Sequence, residues 1–229
     1  QHPVIGASYP PLADAASSVG SYQVRNRATI GGNLCNASPC ADVALATLVL
    51  DGRVVVYGPL GGMGSDRFGE REVPIGVFFL GPGETALRTG EFVTAVRFPA
   101  PLSGAVGRHL KLSRNRLGDL ALVSVEVLGF PVDAQVSAAS SEATAEGKRY
   151  AFRVGLGAVA PTVVRAMRAE AVLAARPPGE ESFAIAARLA AEAAAPIDDV
   201  RAGAAYRTAM VHNLTLRGLR DAWGRMRAV

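Results

Sequence analysis

The sequence predicts an α+β protein: sheet and loops first, then three strands packed by helices. Three observations carry this. Short β-branched segments at Arg53 to Tyr57, Phe92 to Phe98 and Ala121 to Phe130 are set off by turn residues such as Asp51-Gly52 and Gly81-Pro82-Gly83. Helical patterns dominate after Pro161, where Pro177-Pro178-Gly179 and Pro196 divide the chain into three stretches. The chain has 229 residues, 49% hydrophobic and 19% charged, which buries a core and excludes disorder.

Taken in order, residues 11 to 22 read as a short helix after a Pro-Pro break, and Thr29 to Asn33 as a Gly-Gly turn. Ala41 to Leu50 is an apolar run whose preceding Ser38 and Pro39, with Asp42, favour a helix start. Asp51-Gly52 turns the chain into the strand at Arg53 to Tyr57. A Gly-rich loop spans 58 to 70, and a brief apolar segment spans Val77 to Leu80. Further strands are expected at Phe92 to Phe98, which stops at Pro99, at His109 to Ser113 and at Ala121 to Phe130. Residues 131 to 149 read as a long polar hairpin loop. Phe152 to Val159 is a strand whose Gly155 and Gly157 mark a bulge or a close backbone approach. Thr162 is expected to cap the first late helix and Ser182 the second. The third runs from about Asp199 to Arg227, with Tyr206, Met210, Leu214, Leu219, Trp223 and Met226 on one face. A boundary falls near residues 100 to 105.

Composition excludes several classes. Residues 1 to 20 lack the basic start and apolar run of a signal peptide, and no apolar stretch approaches the roughly 18 residues of a membrane span. A soluble, cytoplasmic protein is expected. Cys35 and Cys40 are too few for a disulfide scaffold or a four-thiolate cluster. The net charge of +4 is carried by residues 199 to 229, with six Arg against two Asp. No aromatic stacking run accompanies that basic segment, so it reads as the outer face of a helix, and no nucleic-acid partner is expected. His2, His109 and His212 are far apart and suggest no metal set.

The densest unusual segment is Arg25 to Asp42. Gly31-Gly32 lets backbone approach a ligand, and Thr29 and Asn33 add a hydroxyl and an amide. Asp42 is expected near the mouth of the next helix, where it could accept from a ligand hydroxyl. The segment is neither a Gly-x-Gly-x-x-Gly fingerprint nor a P-loop. A second polar cluster runs from Lys111 to Asp119. Lys111 is one of only two lysines beside 22 arginines, and a lysine at a strand end can set its ammonium by an electron-rich ring or an anion.

The motifs Thr-Ile-Gly-Gly-Asn at 29 to 33 and Asn-Ala-Ser-Pro-x-x-Asp ending at Asp42 resemble the second flavin-binding segment of the FAD (medium) subunit of molybdenum hydroxylases, the xanthine dehydrogenase, aldehyde oxidase and carbon monoxide dehydrogenase relatives. The likeness continues through Val73 to Gly83, Gly90 to Pro99, Lys111 to Ala121, Gly155 to Pro161 and Tyr206-Arg207, nearly the whole chain and in order. It implies an oxidoreductase component with two parts. Residues 1–103 would be the second FAD-binding subdomain, a mixed sheet with helices. Residues 104–229 would be a carbon monoxide dehydrogenase flavoprotein C-terminal-like α+β domain, with a three-stranded antiparallel sheet and helices.

The resemblance also implies partners and site residues. A large subunit would carry the molybdenum cofactor and an iron–sulfur small subunit the 2Fe-2S clusters, with electrons leaving through FAD to an acceptor such as NAD or a quinone. Thr29, Ile30, Gly31, Gly32 and Asn33 would line the FAD, and Asp42 would hydrogen-bond its polar tail. Val93 and Phe98 would make apolar or backbone contacts, Lys111 would lie by the isoalloxazine, and Asp119 would sit near it. Family members begin with a further subdomain carrying an Ala-Gly-Gly-Thr-type loop, which is absent here, so the chain is expected to be N-terminally truncated and inactive alone. An alternative expectation is a flavin-free scaffold that docks the iron–sulfur subunit. The loop at 58 to 70 lacks cysteines, so no extra cluster is expected.

Overall fold

The computed structural model describes residues 2–61, 64, 66–115, 118–132 and 149–228. Most of the expected hairpin loop at 131 to 149 and part of the Gly-rich loop lie outside these residues. The first half carries helices α1 (Pro3–Ser8), α2 (Pro10–Ser18), α3 (Tyr22–Arg25), α4 (Ile30–Cys35) and α5 (Asp42–Val49). Strands β1 (Arg53–Pro59), β2 (Phe68–Pro74), β3 (Phe79–Gly81), β4 (Glu84–Thr85) and β5 (Phe92–Arg97) follow, with a 3-10 turn at Ile75–Val77. The second half contains β6 (Val106–Leu112), β7 (Val123–Val132), β8 (Arg149–Gly157) and β9 (Val164–Arg165), then α6 (Met167–Ala175), α7 (Glu180–Glu192) and α8 (Ala204–Met226).

Two larger sheets organise the molecule. The first has the order β2-β1-β5, with both pairings antiparallel rather than mixed. The second has the order β6-β7-β8-β9, antiparallel throughout: three long strands with the two-residue β9 added at the edge. Every residue of α5 is buried, so this helix has no solvent face. It packs against the first sheet through Leu45 and Leu48 and against β8 at Gly155, where a Cβ would come within 2.8 Å of Leu45 and 2.9 Å of Val49. Gly155 therefore marks a close approach, and the β7–β8 register runs through it without a shift.

The second sheet is covered on both faces, so most of β7 is buried from Val123 to Gly129. Strand alternation sends Val123, Val125 and Val127 into the core formed with Leu173, Phe183, Val211 and Leu219 of the late helices. The intervening Ser124 and Glu126 face the other way, toward α2 and α5. On β6, Leu110 lies by Gly218 of α8, which leaves His109 and Lys111 on the α2–α5 side.

Several local expectations are corrected. The helix expected over 11 to 22 is α2 followed by a separate α3, which Ser21 caps by accepting from the Val24 N–H. Thr29 to Asn33 is the start of α4 rather than a turn. Thr29 Oγ1 accepts from the Gly32 N–H at 3.0 Å, a side-chain cap that converts the Gly-Gly pair into a first helical turn. β2 begins inside the expected loop because its Glu70 and Glu72 are ladder residues opposite Tyr57 and Val55, a polar strand without an apolar signature. Thr162 caps no helix, since β9 intervenes and α6 starts at Met167. Ser182 is the third residue of α7, where its hydroxyl accepts from the Gly179 N–H at 3.1 Å. The expected face of α8 packs on the core through Leu219, Met226 and the partly buried Met210, Leu214 and Trp223, but Tyr206 is exposed, and the buried stripe also takes in Arg207, Val211, Thr215, Gly218 and Ala222. Small residues bring α8 close to the sheet, which the count of large apolar residues does not register.

Candidate functional site

The polar segment at 25 to 33 and the end of α2 enclose a cavity of about 490 Å³. Leu12, Ala16, Val19, Val43, Val96 and Phe98 supply apolar lining, while Arg25, Thr29 and Asn33 supply its polar wall beside Ile30. That size and mixture suit an organic cofactor or part of one. Beyond Arg25 lies a more polar groove of about 350 Å³, lined by Ser17, Ser18, Tyr22, Lys111, Ser113 and Asp119 among others. Arg25 lines both, and its guanidinium is held by the Val19 and Gly20 carbonyls, each at 3.0 Å.

Thr29, Ile30, Asn33 and Phe98 thus share one cavity, and Lys111 and Asp119 share the adjoining groove. Gly31 and Gly32 lie on the same helix as Ile30, and a Cβ built at Gly31 meets nothing within 4 Å. Val93 packs toward the core beneath the first sheet and lines neither opening. Asp42 also lines neither. It is 3% exposed, and its Oδ2 accepts from Lys111 Nζ at 2.8 Å. Lys111 Nζ donates a second hydrogen bond to the Ser18 carbonyl at 2.9 Å.

Behind Lys111 stands a buried group with no obvious sequence signature. His109 Nδ1 is 2.7 Å from Glu126 Oε2, its directly opposed neighbour on β7, and His109 Nε2 is 3.4 Å from Asp42 Oδ1. Burial works to lower the His109 pKa, but the Glu126 and Asp42 carboxylates override it and hold the ring at about 9, a cation at neutral pH. Burial pushes the Glu126 carboxyl up, and the His109 cation opposes that rise. On the groove rim, the Arg114 side chain bonds Asp119 at 2.8 Å and holds its carboxyl below the usual range. The α2–α5 face of β6 could have been anticipated from the two-residue spacing of His109 and Lys111, but Glu126 is hidden within a valine-rich run.

The late arginines are mostly engaged. Arg207 is 2% exposed; it donates to the Leu122 carbonyl at 2.8 Å and to Asp199 Oδ1 at 2.7 Å. Arg201 bonds the same Asp199, and Arg220 bonds Glu180. Both cysteines are free. Cys35 is exposed, and burial raises the Cys40 thiol. Among the described residues no group of three or more His, Cys, Asp or Glu is placed to hold a metal ion. No described helix is long and apolar enough to cross a membrane.

A cavity of organic-cofactor size in the first half, backed by a helix-covered antiparallel sheet, is compatible with a flavoprotein component. Residues 1–101 match the FAD binding domain in molybdopterin dehydrogenase, and residues 108–222 match the CO dehydrogenase flavoprotein C-terminal domain. The chain belongs to the family of FAD-binding medium subunits of molybdenum hydroxylases. It is 31% identical over 223 residues to the carbon monoxide dehydrogenase medium chain of Hydrogenophaga pseudoflava, covering 97% of this chain and 70% of that one. It is 28% identical over 214 residues to the xanthine dehydrogenase FAD-binding subunit of Escherichia coli O157:H7, covering 93% of this chain and 66% of that one. Among solved structures, the carbon monoxide dehydrogenase of Hydrogenophaga pseudoflava superposes with a TM-score of 0.82 at 33% identity, covering 98% of this chain and 70% of that one. Quinoline 2-oxidoreductase from Pseudomonas putida 86 gives 0.80 at 27% identity, covering 99% and 71%.

Proposed function

We propose that the chain is the electron-transfer flavin subunit of a molybdenum hydroxylase. In this reading it receives electrons from 2Fe-2S clusters on a small subunit, while substrate is oxidised at a molybdenum cofactor on a large one. The external acceptor is of the NAD or quinone class. The observation that carries the reading is the pair of openings joined at Arg25, one apolar and bounded by Thr29, Ile30, Asn33 and Phe98, the other polar and reached by Lys111. Similarity to a carbon monoxide dehydrogenase medium chain over 97% of the sequence supports it.

The residues fit FAD. Asn33 lines the larger cavity, and its buried Oδ1 has no hydrogen-bond partner, an acceptor left for a ligand. Open space beside Gly31 lets a ligand meet the backbone. Bound FAD would supply the conversion between one-electron and two-electron transfer. Thr29, Ile30 and Asn33 would orient it, and Phe98 with Val96 would exclude water from its apolar side. Lys111 would stabilise the negative charge that arrives on reduction. Val93 would act by shaping the sheet under the site, and Asp42 by holding Lys111. The division is taken at 103/104, and a cytoplasmic location accords with two free thiols.

The experiment is purification of the complete complex with its small and large partner subunits. FAD absorbance at one flavin per copy of this subunit is expected. A flavin-free but otherwise complete and active complex would sink the proposal.

A further inference from the structure

Glu126, His109, Asp42 and Lys111 form one line of alternating charge running out from the sheet interior to the groove. The successive contacts are 2.7, 3.4 and 2.8 Å. Side-chain exposure is 0% at Glu126, 2% at His109, 4% at Asp42 and 12% at Lys111, so only the lysine end meets the opening. Such a line is not an economical way to stabilise a core. Buried ion pairs recover their desolvation cost only with excellent geometry and with the remaining polar atoms satisfied. Here Glu126 Oε1, His109 Nε2 and Asp42 Oδ1 have no well-formed hydrogen bond. Apolar side chains at 109 and 126 would fill the same space without that cost.

We propose that His109 and Glu126 are positioning residues for the charge that Lys111 presents to the flavin. Glu126 keeps His109 cationic, the His109 cation occupies Asp42 Oδ1, and Asp42 therefore holds Lys111 through Oδ2 while shared between two cations. The four charges of the line sum to zero, but the Glu126 carboxylate is the fully buried end and the Lys111 ammonium the exposed one, so the groove end is weighted positive. With a neutral His109, Asp42 would neutralise Lys111 and draw it back. The charged groups that meet the imidazole are Glu126 from β7 and Asp42 from α5; Lys111, two residues along the same strand, meets Asp42, and Asp14 of α2 acts on Glu126 from farther away. The His109 pKa near 9 accords with this arrangement. The inference rests on the reading that Lys111 lies beside bound FAD.

The test uses the complete FAD-loaded complex. His109→Gln and the isosteric Glu126→Gln each remove the second cation from Asp42. Each is expected to make the flavin midpoint potential more negative by about 30 mV, a tenfold weaker preference for the two-electron reduced form, with FAD content retained. In a Lys111→Met background neither is expected to add a shift, because the route through the ammonium is gone. A packing role alone would lower Tm and leave the potential unmoved. The proposal is overturned by an unmoved potential in a flavin-loaded variant, or by equal shifts with and without Lys111. If neither variant assembles, the wild-type potential against pH decides, with an added break expected near pH 9 and its absence counting against the proposal. A wild-type complex without flavin would refute the proposed function itself, a result distinct from a loaded complex whose potential does not move.

Discussion

Lys111 and Asp42 meet at 2.8 Å although they are 69 residues apart, and the Ser18 carbonyl takes a second bond from the same ammonium. The contact ties β6 to α5 and α2 at the edge of the polar groove. Lys111 is the only lysine among the described residues, so its substitution isolates one charge.

Lys111→Met is expected to slow flavin reduction or reoxidation at least about tenfold, a loss of about 1.4 kcal/mol of transition-state stabilisation, while FAD content falls little. Stopped-flow absorbance and flavin quantification on the same preparation separate the two effects. A loss of FAD without a change in rate per bound flavin would contradict it.

His109 gives stability a defined pH window. Its folded pKa, about 9, lies above the ordinary 6.5, so the native state binds the proton more tightly than the unfolded chain. That contribution is fully present below about pH 6.5 and is lost as pH rises through about 9. Its size is about 3 kcal/mol at one pKa unit per 1.36 kcal/mol. Urea unfolding across this range should show the decline, and His109→Gln should flatten it.

Two glycines of α8 should respond in opposite directions. A Cβ at Gly218 would lie 2.9 Å from Val127 Cγ2 and 3.0 Å from Leu110 Cδ1, whereas one at Gly224 meets nothing within 4 Å. Gly218→Ala is expected to destabilise by about 1–3 kcal/mol through overpacking. Gly224→Ala should stabilise by about 0.5–1 kcal/mol through helix propensity. Denaturant midpoints at unchanged m-value test both.

Arg207 anchors α8 against the loop at Asp199 and the carbonyls of Leu122 and Ala158. Arg207→Met should cost about 1–3 kcal/mol, because the Leu122 and Ala158 carbonyls lose a buried donor, while Asp199, partly exposed, keeps Arg201. Arg207→Lys should recover only part of this, because one ammonium cannot reach the acceptors that a guanidinium fork spans. Full rescue by Lys would show that charge alone matters here.

Much of the fold is legible along the chain. Arg53 to Tyr57, Phe92 to Phe98 and Ala121 to Phe130 each contain or overlap a strand, because β-branched runs between turn residues have few other solutions. Pro177-Pro178-Gly179 separates α6 from α7 where proline must. The motif from Thr29 to Asp42 contributes Thr29, Ile30 and Asn33 to the wall of the larger cavity, while Asp42 lies outside it. The polar strand β2 and the cap at Thr29 escape because each depends on a specific hydrogen bond, and hydropathy carries no record of it.

Element order and the site segment follow from local chemistry: turn residues, β-branching and short-range polar motifs act over a few neighbouring positions. The charge line does not. His109 and Glu126 face each other only through the β6–β7 register, and Asp42 reaches both cations only because α5 is buried against the α2 side of that sheet. The charge state of His109 depends on distances between residues far apart in the chain, and long-range packing alone sets those distances.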